Sequence, residues 1–384
     1  MSSKPALFCS IQVGDIQLKH RVVLAPSTNF RSTDDGVPTF IMAEYYSRRG
    51  SVSGTLLIAE ATVIARKADW GLEESKDAFN PSPQRDFRSP TPSTPINRLS
   101  TCSFGLSGAP PIREYLAPGD LMFPLIPKRS TQPCIATPPH VPITSPRALR
   151  VEIKEYIQLF AAAASNAVHQ AGFNGVEVHA ANGYLPEQFL MDTVNERDDV
   201  YGGSIENRAR FILEVVDAIV AAVGATKTAI RVNPWPNRKQ HGFRMMDPKS
   251  QYGYLVKEIR VRHPNFSYIH IIEDYNPINP AAFPRPTISF ATSGPLIGVG
   301  GYGEDPERWI RVAEERGDII AYSQAFIANV GIPFPIFLAA WAMVPPLEAG
   351  DGAKYYTYGT SDPAGYIDYA FYFTSLNMEM IASA

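Results

Sequence analysis

Seven short apolar runs punctuate the chain: VVLA at 22–25, TLLIAE at 55–60, GVEVH at 175–179, AIRV at 229–232, YIHII at 268–272, PLIGV at 295–299 and DIIAY at 318–322. Runs of this length that stay apolar throughout predict strands buried on both faces, as in a parallel sheet. Between them the apolar residues change to helical spacing. Ile153, Ile157, Phe160, Ala161, Ala164 and Val168 form one stripe, and Phe211, Val215, Ile219 and Val223 form another, each suited to a helix face turned toward a core. Strands alternating with helices predict an α/β fold, and the cadence fits a (β/α)8 TIM barrel with one strand unaccounted for.

The missing strand falls where the pattern breaks. From Gly71 to about Pro142 the chain is rich in Pro, Ser and Arg, as in NPSPQRDFRSPTPSTPINRLS, with almost no strand or helix periodicity. Composition predicts a disordered insert over 71–142. A barrel that loses a strand in this stretch would leave two sheet edges unpaired.

At 384 residues and 45% apolar content, the chain can bury one large core, and a single domain over residues 1–384 is expected. A net charge of −3 with no basic run supplies no electrostatic attraction to nucleic acid or to a membrane surface. The first residues show no apolar signal region, no stretch of about 18 apolar residues appears, and the closing IASA is no address tag, so the expected location is the cytoplasm. Cys9, Cys102 and Cys134 have neither CxxC nor metal-ligand spacing and read as free thiols. No metal site is expected.

The candidate chemistry is concentrated in GVEVHAANGYLPEQFLMDTVNERDDVYGGSIENR, residues 175–208. His179, Asn182 and Tyr184 follow the buried run where its strand must end, which is where a parallel barrel keeps its active site. His179 and Asn182 each offer an N–H donor. A turn between them can aim both at one oxygen, polarising a carbonyl and holding the charge that grows on it as an enolate forms. Tyr184 adds a phenolic proton from the same loop on another bearing, as a general acid would. Taken singly, His179 reads more readily as a core histidine and Tyr184 as a packing residue. Their joint spacing decides between the readings.

HxANGYLxxQF followed by NxRxDxYGGSxENRxRF resembles the Old Yellow Enzyme family of FMN-dependent ene-reductases. Other stretches are similar to family segments in the same order. LFCSIQVGDIQLKHRVVLAPSTNFRS contains Ala25, Pro26 and Thr28, which match flavin-lining positions, and SGTLLIAEATVIA contains Ala61. TAIRVNPW offers Arg231 as a flavin contact, PLIGVGGY offers Gly300 and Gly301 to the phosphate, and YYTYGTSDPAGYIDY offers Tyr356 as a wall of the substrate pocket. The resemblance spans roughly residues 6–72 and 140–372. It implies a cytoplasmic FMN barrel in which NADPH reduces the flavin and a hydride then passes to the β-carbon of an α,β-unsaturated aldehyde or ketone. His179 and Asn182 would bind the carbonyl oxygen, Tyr184 would protonate the α-carbon, and the substrate would be a small molecule, such as an intermediate of alkaloid-type specialised metabolism.

Two departures from the family pattern suggest an alternative, a degenerate, non-catalytic member with impaired FMN binding. In the family the stretch matching 71–142 holds a helix and the third strand, which carries a QLW motif that this chain lacks, so the resemblance implies that the third strand and the helix before it are lost or replaced. Codons for Cys102–Gly108 can be chosen so that the frame one base earlier spells LQLWALG, and the same frame over Arg88–Asn97 permits VTDAVHANK. A frame-shifted translation between Trp70 and Pro142 is one explanation, and a natural disordered insertion is the other. The second departure is at the phosphate site, where the family usually has Gly-Arg after the eighth strand and this chain has Ser323 and Gln324. An amide cannot replace the guanidinium charge.

Overall fold

The computed structural model describes residues 5–29, 31–32, 38–62, 64–65, 99–104, 150–235, 245–273, 294–300, 306–330, 350–355 and 362–369. Of residues 71–142, only the backbone of 99–104 falls within this set.

Each apolar run becomes a strand within a residue or two of its expected bounds. A hairpin of β1 (Ile11–Val13) and β2 (Ile16–Leu18) precedes β3 (Val22–Leu24) and β4 (Leu56–Thr62). Then come β5 (Leu99–Phe104), β6 (Gly175–Ala180), β7 (Thr228–Val232), β8 (Tyr268–Ile272), β9 (Leu296–Val299) and β10 (Ile319–Tyr322). Strands β3 to β10 pair in parallel, in chain order, and β10 returns to β3 to close an eight-stranded barrel.

The expected loss of the third strand is thus corrected. β5 fills that place, with Leu56 opposite Leu99 on one side and Thr101 opposite Gly175 on the other. The ladder is made by backbone N–H and C=O groups, which every non-proline residue carries, so a segment without an apolar signature can still satisfy two waiting edges. The expected loss of the helix before this strand, like the rest of the Pro-rich segment, falls outside the described residues.

Strand alternation sorts the buried side chains into one cluster inside the barrel and two outside it. Val23, Ala25, Ala229, Tyr268, Ile297 and Ile319 share a buried cluster inside the barrel with Val13 and Leu18 of the hairpin. Val176, Val178, Ile230, Val232 and Ile269 face outward against the helices. The hairpin sits under the N-terminal ends of the strands, where Asp15 pairs with Lys227 at 2.6 Å, and the opposite mouth is left for the site.

The helical stripes form over most of their predicted length, but Ala161 and Val168 are only half-buried, and Val168 lies in a π-helical turn, Asn166–Gln170, beyond the helix. Helices α1 (Phe40–Arg49) and α2 (Arg150–Ser165) are followed by α3 (Leu185–Leu190), α4 (Ile205–Val223), α5 (Pro248–Arg262), α6 (Pro306–Arg316) and α7 (Gln324–Ala328). Phe211, Val215, Ile219 and Val223 on α4 are buried, as are Ile153, Ile157, Phe160 and Ala164 on α2. The Ser204 hydroxyl accepts from the Asn207 N–H to start α4, and the Asp247 carboxylate does the same for α5 from Ser250 at 3.1 Å. Such caps each contribute about 0.5–2 kcal/mol. Among the described residues no helix is long and apolar enough to cross a membrane.

Candidate active site

The site is built outward from β6, all of whose residues are buried. Val176 and Val178 pack against the helices, so Glu177 and His179 point into the barrel. After Ala180 the chain makes a sharp excursion, with φ of 58° at Asn182 and 85° at Gly183. Asparagine is among the few side chains that tolerate the left-handed region, and glycine enters it freely. Tyr184 then returns to an extended conformation as the N-cap of α3. The reversal brings Tyr184 back over the strand end, its ring 5.0 Å from that of His179 with the planes at 51°. His179 is buried, and Asn182 and Tyr184 are half-buried.

Arg231 stands opposite His179 in the β6–β7 register. Its Nη1 reaches toward the Pro26 carbonyl at 3.5 Å, and its buried Nε has no hydrogen-bond partner. Burial disfavours the Arg231 charge, and Glu177 opposes that effect. Next in register stands His270, whose Nδ1 lies 2.9 Å from Glu177 Oε2, with both side chains fully buried. His179 is held far below the usual histidine range, chiefly by burial, with the Arg231 charge and His270 adding to it. It is therefore neutral at physiological pH and carries one N–H donor.

The remaining candidates lie on other strand ends. Ala25, Pro26 and Thr28 follow β3, with the Ala25 N–H bonded to Tyr322 O at 2.9 Å. Ala61 comes just past a β-bulge in β4, where the register passes from Ile58 opposite Thr101 to Ala61 opposite Ser103. Bulges of this kind re-aim side chains beside active sites. Gly300 follows β9 with φ of 138°, and a Cβ there would collide with the Glu273 carbonyl oxygen. The need for glycine at this position is thus already set by the protein's own backbone. Gln324 is exposed as the first residue of α7, directly after β10. Gly301 and Tyr356 lie outside the described residues.

Four side chains near these groups carry polar contacts that the sequence reading did not single out: Glu177, His270, Glu187 and Gln188. The first two had a visible signal, since Glu177 in GVEVH and His270 in YIHII interrupt runs that are otherwise apolar. A polar residue buried in such a run requires a partner. Glu187 and Gln188 had only their place in the loop motif.

Every placed candidate sits at the C-terminal end of a barrel strand, in the loop that follows or, for Gln324, at the start of the next helix, on the face where enzymes of the parallel α/β barrel class hold their substrates and cofactors. The sequence profile of the NADH:flavin oxidoreductase / NADH oxidase family matches residues 6–90 and 143–336, and the chain belongs to that family. It is 35% identical over 375 residues to the chanoclavine-I aldehyde reductase of Penicillium roqueforti, covering 95% of this chain and 96% of that protein. It is 34% identical over 389 residues to the 12-oxophytodienoate reductase 1 of Oryza sativa subsp. japonica, covering 95% and 93%. The crystal structure of Old Yellow Enzyme from Pichia sp. AKU4542 superposes with a TM-score of 0.75 at 28% identity, covering 97% of this chain and 95% of that one. The protein is an NAD(P)H-dependent flavin oxidoreductase of the Old Yellow Enzyme type, with FMN as cofactor and NADPH as reductant.

The residues at the mouth fit that cofactor. The buried, unpartnered Nε of Arg231 is a cationic donor without a protein acceptor, and an electron-rich ring edge is the chemistry that would satisfy it. Gln324 presents an exposed amide where the family pattern has a guanidinium, a poorer match to a phosphate.

Proposed function

We propose that this chain reduces the C=C bond of small α,β-unsaturated aldehydes or ketones, working in the cytosol as a single FMN-binding barrel domain over residues 1–384 that carries 71–142 as an irregular segment. Bound at this mouth, FMN would supply the hydride chemistry, with NADPH as its reductant. The chain's own residues do the rest. The N–H of neutral His179 and the Asn182 amide donate to the carbonyl oxygen and hold the charge that develops there, and the Tyr184 hydroxyl gives its proton to the α-carbon. Ala25, Pro26, Thr28, Ala61 and Arg231 are assigned to the flavin, Gly300, Gly301 and Gln324 to its phosphate end, and Tyr356 to the pocket wall.

The observation that carries this reading is the turn that folds Tyr184 back beside a buried, neutral His179. The names of the relatives support the substrate class, one being an aldehyde reductase and another an oxophytodienoate reductase. The test is rapid mixing in two halves, with FMN reduction by NADPH followed separately from reoxidation by 2-cyclohexen-1-one. Tyr184→Phe is expected to slow only the second half, and equal loss in both would remove Tyr184 as the proton donor.

A second reading, a relative with impaired FMN binding, is favoured by the exposed Gln324 and by a family match that stops at 90 and resumes at 143. FMN content separates the two. Yellow protein with close to one FMN per chain supports the enzyme, whereas colourless protein that binds added FMN only weakly supports the second reading. A transcript encoding 71–142 as written, together with stoichiometric flavin, would refute the frame-shift explanation.

A further inference from the structure

Asn182 and Tyr184 are joined through one residue, Gly183, and the peptide groups of that residue are held from both sides. The Gly183 N–H donates to Glu187 Oε2, and the Gly183 carbonyl accepts from Gln188 Nε2 at 2.8 Å. Glu187 is fully buried. Its other oxygen, Oε1, is buried without a hydrogen-bond partner, so the contact to Gly183 is the polar bond that the structure gives this side chain. Gln188 is the glutamine of the loop motif.

The arrangement departs from ordinary helix capping. Tyr184 occupies the N-cap of α3 without a side-chain cap bond, although tyrosine is a poor cap beside Ser, Thr, Asp or Asn. Glu187 stands three residues on, where a capping-box carboxylate would reach back to the N–H of the cap residue. It reaches one residue further, to Gly183. Both polar side chains at the start of α3 thus hold the peptide between the two proposed reacting groups. Glycine has the widest backbone freedom of any residue. Left unheld, Gly183 would let both neighbours pivot, and a displacement of about 1 Å in a positioned group can cost on the order of a hundredfold in rate.

We infer that Glu187 and Gln188 are positioning residues for alkene reduction, clamping the Gly183 peptide so that the Asn182 amide and the Tyr184 hydroxyl are held toward a single substrate. The inference rests on the function proposed above. Burial pushes the Glu187 carboxyl up to about 8, so it is mostly protonated near neutrality and glutamine is its nearest neutral mimic.

The experiment compares the flavin-loaded protein with Gln188→Met, Glu187→Leu, Glu187→Gln and Tyr184→Phe, reading both half-reactions and the amide exchange of residues 181–185 by mass spectrometry. In Gln188→Met and Glu187→Leu, reoxidation by 2-cyclohexen-1-one is expected to fall at least tenfold more than FMN reduction by NADPH, with faster exchange over 181–185. Glu187→Gln is expected to keep both near wild type. The clamp is overturned if Gln188→Met and Glu187→Leu slow the two half-reactions equally, if exchange is unchanged, or if Glu187→Gln falls as far as Glu187→Leu. Should Tyr184→Phe reoxidise at the wild-type rate, the functional reading itself fails, and the exchange measurement still decides whether the two side chains hold the loop.

Discussion

Strands β5 and β6 lie side by side through a register running from Thr101 opposite Gly175 to Phe104 opposite Val178, and they are specified in different ways. In β6 the side chains carry the information. Val176 and Val178 are completely buried against the helices, each contributing about 1.5–3 kcal/mol, and the alternate positions turn Glu177 and His179 into the barrel. Nothing comparable can be read in LSTCSF, the sequence of β5. Its place is defined by two parallel neighbours whose edges need a backbone between them, and a barrel without it would expose both. A strand can therefore be written in its own residues or imposed by those beside it. In this barrel the proposed reacting groups sit on the first kind.

The comparison can be tested, starting from the largest expected effect. If the end of β6 holds the reacting groups, Tyr184→Phe should slow alkene reduction about 10²- to 10⁴-fold, the range for loss of a general acid, while FMN reduction by NADPH stays near wild type. Stopped-flow absorbance at the flavin band reads both steps. A change confined to flavin reduction would move the chemistry away from β6.

The second effect concerns what this site costs the fold. Burial raises the Glu187 carboxyl from its ordinary 4.5 to about 8, with the Gly183 N–H partly opposing. Between those values the unfolded chain has released a proton that the folded chain keeps. The contribution to stability is accordingly complete below pH 4.5, falls as pH rises to about 8 and is level beyond. At about 1.4 kcal/mol per unit of separation, the loss is roughly 4–5 kcal/mol. Denaturant unfolding at several pH values should show Glu187→Gln gaining stability over wild type steadily between pH 5 and 8. A difference that does not change with pH would mean that Glu187 titrates normally in the folded chain.

Third, β5 should respond to its backbone more than to its side chains. Cys102 lies opposite Val176 in the ladder. Cys102→Pro removes an N–H from a strand paired on both sides and is expected to destabilise the fold by about 3 kcal/mol or more. Cys102→Ala, which leaves the backbone intact, should change stability by less than about 1 kcal/mol. Equal losses on thermal unfolding would show that the cysteine side chain, too, specifies this strand.

The smallest effect lies at the far end of the site, where exposed Gln324 begins α7. Gln324→Arg adds a charge-assisted contact to a phosphate and should tighten FMN binding by roughly tenfold or more. Titration of apoprotein reads this directly. No change would separate residue 324 from the phosphate site.

Much of the barrel was legible in the chain because burial on both faces leaves an unbroken apolar run. Seven strands and two helical stripes could be placed from that signal, and the loop after β6 stood out as the candidate site because polar residues cluster where such a run stops. The loss of the third strand was expected wrongly for a related reason. Apolar patterning reports what a segment buries, and β5 is placed by what its neighbours must bond to.

The sequence by itself determined the alternating α/β order and the family motif around His179, Asn182 and Tyr184. Only the tertiary structure decided that β5 completes the barrel, that Glu177 finds His270 across β7, that Arg231 stands beside His179, and that Glu187 and Gln188 turn back onto Gly183. Residue periodicity records the face on which a side chain lies. Its partner across a closed barrel depends on strand register and on the direction the chain takes after the strand ends, and these are set only when all eight strands have come together.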